Sequence, residues 1–131
     1  TLFEALILVV LTVFLFLLAS LATLAREIEK DIEDLAGDMA SGARTLPIVV
    51  GEKRSSLLAA GFVVAAILLS YLAPLGRAYL IAVTVADLLF LAALASIIRG
   101  EAPRAQKMLK AGMAAALAAF MVAALAGTGY L

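Results

Sequence analysis

Four long apolar runs, parted by two charged segments, constrain this 131-residue chain more than any other feature. The runs cover about residues 5–25, 57–72, 78–98 and 103–125. A stretch of roughly 20 apolar residues is long enough to cross a bilayer as a helix. The second and fourth are short for a perpendicular crossing, so their helices should extend into flanking polar residues. Hydrophobic residues make up 66% of the chain and charged residues 15%. Soluble domains hold roughly half and a quarter, so this excess has to face lipid rather than one enclosed core. The expected fold class is all-α: an integral-membrane bundle of four transmembrane helices, one domain over 1–131.

The charges set a topology. Their net value is zero, but most fall between Arg26 and Arg54, and a second group between Arg99 and Lys110. No broad basic face remains, which argues against a nucleic-acid partner. Both basic segments are expected on the cytoplasmic side of the cell membrane. The Pro74–Arg77 turn, Thr1 and Leu131 then fall outside. Tyr71, Tyr79 and Tyr130 lie near that outer edge, where tyrosine forms interfacial belts. Glu4 reads as interfacial. Alanine is frequent in the runs, as at 114–116 and 123–124, which suits close helix packing. The chain starts with Thr1 at the edge of an apolar run, with no charged segment before it, and reads as a piece of a longer protein.

Absences narrow the chemistry. There is no Cys, His, Trp or Asn. No thiol nucleophile, zinc site or Ser-His-Asp triad can be assembled. Any bound metal must be a hard cation on carboxylate oxygen, which means magnesium, calcium or manganese.

The polar stretch from Ala25 to Asp38 carries the signal. If the first helix continues through it, Glu27, Asp31, Asp34 and Asp38 share one stripe, spaced four, three and four. Ile28, Ile32, Leu35 and Met39 make an adjacent apolar stripe, and Lys30 and Glu33 lie to the other side. Like charges at i,i+4 repel by a few tenths of a kcal/mol in an exposed helix. Lys30 offsets only part of that, so a cation is expected when the protein works. Gly37 and Gly42 bracket Asp38 and allow a helix end there. Arg44 follows at once, a side chain suited to phosphate. A solvated, mixed-charge helix extension is the plainer account of the same residues.

Lys30-Asp31-x-x-Asp34-x-x-x-Asp38, followed by Gly42-x-Arg44-Thr45-Leu46-Pro47, resembles the second aspartate-rich motif of UbiA-type prenyltransferases. That resemblance implies a nine-helix membrane fold, with this chain as helices six to nine and the carboxyl-terminal half. The family's first motif, with its Asn, has no counterpart here, so an amino-terminal half is an implied partner. The string Arg26-Glu27-x-x-Lys30-Asp31-Ile32-Glu33-Asp34 is most similar to members that add a second geranylgeranyl chain to a glyceryl phosphate in archaeal ether-lipid synthesis.

The resemblance implies transfer of a prenyl group from an allylic diphosphate to a lipid-like acceptor in the bilayer, with Mg2+ as cofactor. Asp31, Asp34 and Asp38 would be metal ligands, with Asp34 and Asp38 foremost. Lys30 and Arg44 would meet the diphosphate or balance the acids, and Glu27 would support from behind. Asp87, alone in the third run, has two readings: a hydrogen bond to a neighbouring helix, or a place near the acceptor cavity. An aromatic acceptor, as in quinone prenyltransferases, is the alternative within the family. CDP-alcohol phosphotransferases also use aspartates at a helix end, but their pattern needs Gly at Leu35 and Ala-Arg at Asp38-Met39. A non-catalytic multispan protein or transporter segment is the rival of another class. Transporters usually place ionisable groups near the midplane, whereas this stripe lies at the cytoplasmic edge.

Overall fold

In the computed structural model, residues 1–72 and 76–127 are described. Pro74, Gly129, Tyr130 and Leu131 therefore lie outside the described residues. Six helices follow one another: α1 (Leu2–Glu33), α2 (Leu35–Ser41), α3 (Leu46–Val50), α4 (Glu52–Leu72), α5 (Gly76–Ile98) and α6 (Ala102–Gly127). Four of them, α1, α4, α5 and α6, are long and apolar enough to cross a membrane. As expected, α4 draws on polar residues before its apolar run, beginning at Glu52, whereas α6, from Ala102 to Gly127, extends beyond its run only by alanine and glycine.

The four long helices close into a ring. α1 packs on α4, α4 on α5, α5 on α6, and α6 back on α1. The buried positions explain why. In α4 they are Ser55, Ala59, Val63, Ala66 and Ser70; in α5 they include Tyr79, Val83, Ala86, Phe90, Ala93 and Ile97. Steps of three and four keep each set on one helical face. Most of these side chains are small, so backbones approach closely, as membrane helices do where lipid offers no hydrophobic drive. Ala116 and Ala123 from the alanine-rich stretches join the core, whereas Ala114 stays exposed.

The most extensive packing pairs α5 with α6. A Cβ added at Gly112 would lie 2.8 Å from the Phe90 ring, which is itself fully buried. Phe90 therefore fills the space a side chain at 112 would need.

A polar knot ties α4 to α5. The Ser70 hydroxyl lies 2.7 Å from Asp87 Oδ2 and 2.6 Å from the carbonyl of Ile67, and Tyr79 donates to the Ser70 carbonyl at 2.7 Å. Tyr79 also meets Phe120 of α6 edge-on, with centroids 5.3 Å apart. The aromatic-belt reading therefore fails for Tyr79: its ring is buried, because the knot gives its hydroxyl a partner inside the bundle. Tyr71 is half exposed. Asp87 is 2% exposed and bonds across helices, the first of its two readings.

Gly112→Ala should lower the thermal midpoint of the intact protein in detergent, since overpacking of this kind costs about 1–3 kcal/mol. A midpoint equal to the unsubstituted protein's would show that the Phe90 ring can move aside.

Candidate functional site

With 32 residues, α1 is about 48 Å long, against roughly 30 Å of hydrocarbon. Its apolar part ends near Ala25, so the last two turns project beyond the membrane. Three faces of this helix do different work. The first is the core face: Leu11, Leu18, Ala22, Ala25, Ile28 and Glu29 are buried against the bundle. The second points away from the core. It carries the exposed Leu6, Val9, Val13, Phe16 and Leu24, then Glu27, Asp31 and Asp34. The acidic stripe is thus the polar end of an exposed apolar stripe, on the side this bundle leaves open. The third face, bearing Arg26, Lys30 and Glu33, lies between them and meets α6.

The helix does not run unbroken through the acids. Asp34 takes φ −88° and ψ 7°, ends α1 and starts α2. The backbone still bonds across the joint, Asp34 to Lys30 at 3.0 Å and Asp38 to Asp34 at 2.9 Å. The break is therefore slight, and the four–three–four phasing survives in outline. Gly37 stays inside α2, while Gly42 ends it in the left-handed conformation at φ 79°. The amide of Ala43 then returns to the carbonyl of Asp38 at 3.0 Å. That turn needs glycine, since a Cβ disfavours the conformation. It directs the chain through Arg44 and Thr45 into α3, where the buried Pro47 suits a first turn.

Electrostatically the stripe is strained. Asp38, Glu27 and Asp34 all repel the Asp31 carboxylate, and Lys30 attracts it. Among the described residues no ion pair engages Glu27, Asp31, Asp34, Asp38, Lys30 or Arg44. No three of the described carboxylates converge closely enough to hold an ion. From residue 27 to 38 the stripe extends about 16 Å. This donor set fits magnesium, which takes one or two carboxylates and completes its shell with phosphate oxygen and water. It does not fit a calcium cage of six to eight protein oxygens.

The structure brings Glu27, Asp31, Asp34 and Asp38 to one side and leaves Asp87 elsewhere. Asp87 bonds at the level of Ser70, about 27 Å along α4 from Glu52 at its start. Lys30 lies on the border between the acidic face and the α6 face. Arg44 is exposed beyond α2.

Sequence reasoning passed over Glu29. Only 1% of it is exposed, its Oε1 has no hydrogen-bond partner, and Glu52 is near enough to repel it. The signal was present: 11, 18, 22, 25 and 29 continue one apolar face in steps of seven, four, three and four.

A UbiA prenyltransferase family model matches residues 4–120, most of the chain. The chain belongs to that family, and its four spans make it a multi-pass membrane protein. Among its relatives is the digeranylgeranylglyceryl phosphate synthase of Methanothrix thermoacetophila, 49% identical over 112 residues, 86% of this chain and 42% of the relative. The protein of the same name from Natronomonas pharaonis is 52% identical over 118 residues, covering 87% and 42%. That of Methanosarcina mazei is 44% identical over 112 residues, covering 82% and 39%. The chain spans about two fifths of the length of these curated relatives. No solved structure matches the chain significantly.

Glu29→Leu would extend the apolar seam and remove a buried oxygen lacking a partner, worth about 1–3 kcal/mol. The expected result is a thermal midpoint raised by several degrees in the intact protein, with turnover retained. A lowered midpoint would show that the carboxylate is stabilised by a group outside this chain.

Proposed function

We propose that this chain is the carboxyl-terminal half of a single transmembrane prenyltransferase domain. The intact protein transfers a geranylgeranyl group from its diphosphate to the free hydroxyl of geranylgeranylglyceryl phosphate. The observation that carries this reading is the exposed acidic stripe. Its carboxylates lie unpaired at the cytoplasmic end of an apolar face that the bundle leaves open. The names of the relatives support the choice of acceptor.

In this reading Asp34 and Asp38 hold magnesium, with Asp31 next and Glu27 behind. Magnesium, when bound, offsets the negative charge that gathers on the departing diphosphate. The chain's own residues do the rest. Lys30 and Arg44 supply positive charge beside the diphosphate oxygens. The amino-terminal half, the remaining partner, closes the open face with its own aspartates. The exposed stripe from Leu6 to Leu24 gives the donor's tail an apolar wall and keeps water from the allylic cation. The motif loop lies on the cytoplasmic side of the cell membrane, following the basic residues around it.

The intact parent, supplied with geranylgeranyl diphosphate and geranylgeranylglyceryl phosphate, should release diphosphate with magnesium and not with EDTA. Asp34→Ala or Asp38→Ala should cut kcat at least about a hundredfold, the scale of losing one transition-state charge stabiliser. Product with a hydroxybenzoate alone would move the protein to the aromatic-acceptor branch. No turnover of any allylic diphosphate would leave the non-catalytic membrane protein as the account.

A further inference from the structure

A groove runs between α1 and α6, about 100° around α1 from the acidic stripe. The two helices are antiparallel. Glu33 near the end of α1 accepts a hydrogen bond from Gln106 near the start of α6. At the other end, Leu8 and Ala124 line one cavity. Three cavities follow one another along this groove. The cytoplasmic one, about 410 Å³, is lined by Arg26, Lys30, Lys107 and Lys110 beside the Glu33–Gln106 pair. The next, about 330 Å³, is apolar and lies among Leu15, Ala19, Met113, Ala114 and Leu117. The third, about 220 Å³, continues past Thr12 and Phe120 and shares Leu15 and Leu117 with the second.

The chemistry changes at one level. Arg26 is the first residue past the apolar run of α1, and Lys110 the last charged residue of α6. Four cations therefore stand over one carboxylate at the lipid–water boundary, and below them the groove is hydrocarbon. Basic pockets between membrane helices at this height select phosphate headgroups. The two lower cavities are lined by α1 and α6 alone. From Arg26 to Thr12 the groove spans about 21 Å of helix, comparable with an extended geranylgeranyl chain.

We propose that this groove is the acceptor site: the phosphate of a singly prenylated glyceryl phosphate sits among Arg26, Lys107 and Lys110, and its chain lies along Leu15, Ala19 and Leu117. This rests on the prenyltransferase reading and adds where the second substrate lies. The choice of acceptor over an ordinary resident phospholipid follows from Lys30. It borders both the groove and the acidic face, and Arg26 and Glu27 are neighbours on one turn. A phosphate held here lies on the face of α1 next to the one whose carboxylates would hold the donor's diphosphate.

The test uses the full-length parent in phosphatidylcholine nanodiscs. Lys107→Gln with Lys110→Gln should weaken binding of geranylgeranylglyceryl phosphate, and raise its KM, about tenfold. The KM for geranylgeranyl diphosphate should stay unchanged. Ala19→Phe with Ala114→Phe should do the same by filling the lower groove. Geranylgeranylglycerol, which lacks the phosphate, should be insensitive to the lysine changes and sensitive to the phenylalanines. Unchanged acceptor binding overturns the proposal, and so does a raised KM for the donor diphosphate alone. Loss of bound phosphatidylglycerol with both KM values intact makes the groove a resident-lipid site and also overturns it. Unfolding by the phenylalanine pair would mean that a helix of the other half fills the groove, and would overturn it too. The binding arm reads without turnover, so an inactive parent that still binds the acceptor through the lysines defeats the prenyltransferase reading and not this site.

Discussion

Close packing of small residues around one ring of helices is the constraint on which the rest depends. Lipid tails are as apolar as leucine, so burying leucine between membrane helices gains little from solvent. What remains is contact. Ala59, Ala66, Ala86, Ala93 and Ala119 allow it, and Gly112 allows the most, with the Phe90 ring lying where a side chain would stand. α5 packs most extensively on α6, and α6 in turn packs on α1, which closes the ring. Once it is closed, the orientation of α1 is fixed, and with it everything the polar end of that helix presents.

That orientation matters because α1 serves three surfaces with one repeat. Its core face holds it to the bundle. The opposite face is apolar within the membrane and acidic above it. The face between them becomes one wall of a groove whose other wall is α6. A rotation of α1 by one residue, about 100°, would bring the aspartates toward the groove and its lysines. The unpaired state of the acids and the separation of cations from carboxylates both follow from the packing below them. The same logic isolates Asp87, whose partner Ser70 lies far from the motif.

A division of labour emerges along the membrane normal. Toward the Ser70 end of α4 the bundle is held by a directional knot among α4, α5 and α6. Through the middle it is held by contact alone. At the end that carries the acidic motif, order comes from caps and turns: the break at Asp34, the left-handed Gly42, and the Glu33–Gln106 bond. Charge–charge repulsion is tolerated there because the residues meet water and, in the function proposed, a cation and phosphate oxygens.

Much of this was legible in the chain. Run lengths and charge placement by themselves determined four membrane-crossing helices, because hydrocarbon thickness leaves little choice. The spacing of Glu27, Asp31, Asp34 and Asp38 determined that they share a face, since 100° per residue is local geometry. Other features were decided only by tertiary structure. Tyr79 reads as interfacial until Ser70 offers its hydroxyl a partner inside the bundle. Glu29 reads as one more solvated acid until α4 closes over it. Arg26, Lys30, Lys107 and Lys110 read as ordinary basic flanks until the pairing of α1 with α6 sets residues some eighty positions apart around one cavity. Local periodicity fixes which way each side chain leaves its own helix, but which helix stands opposite is settled by packing across the whole bundle.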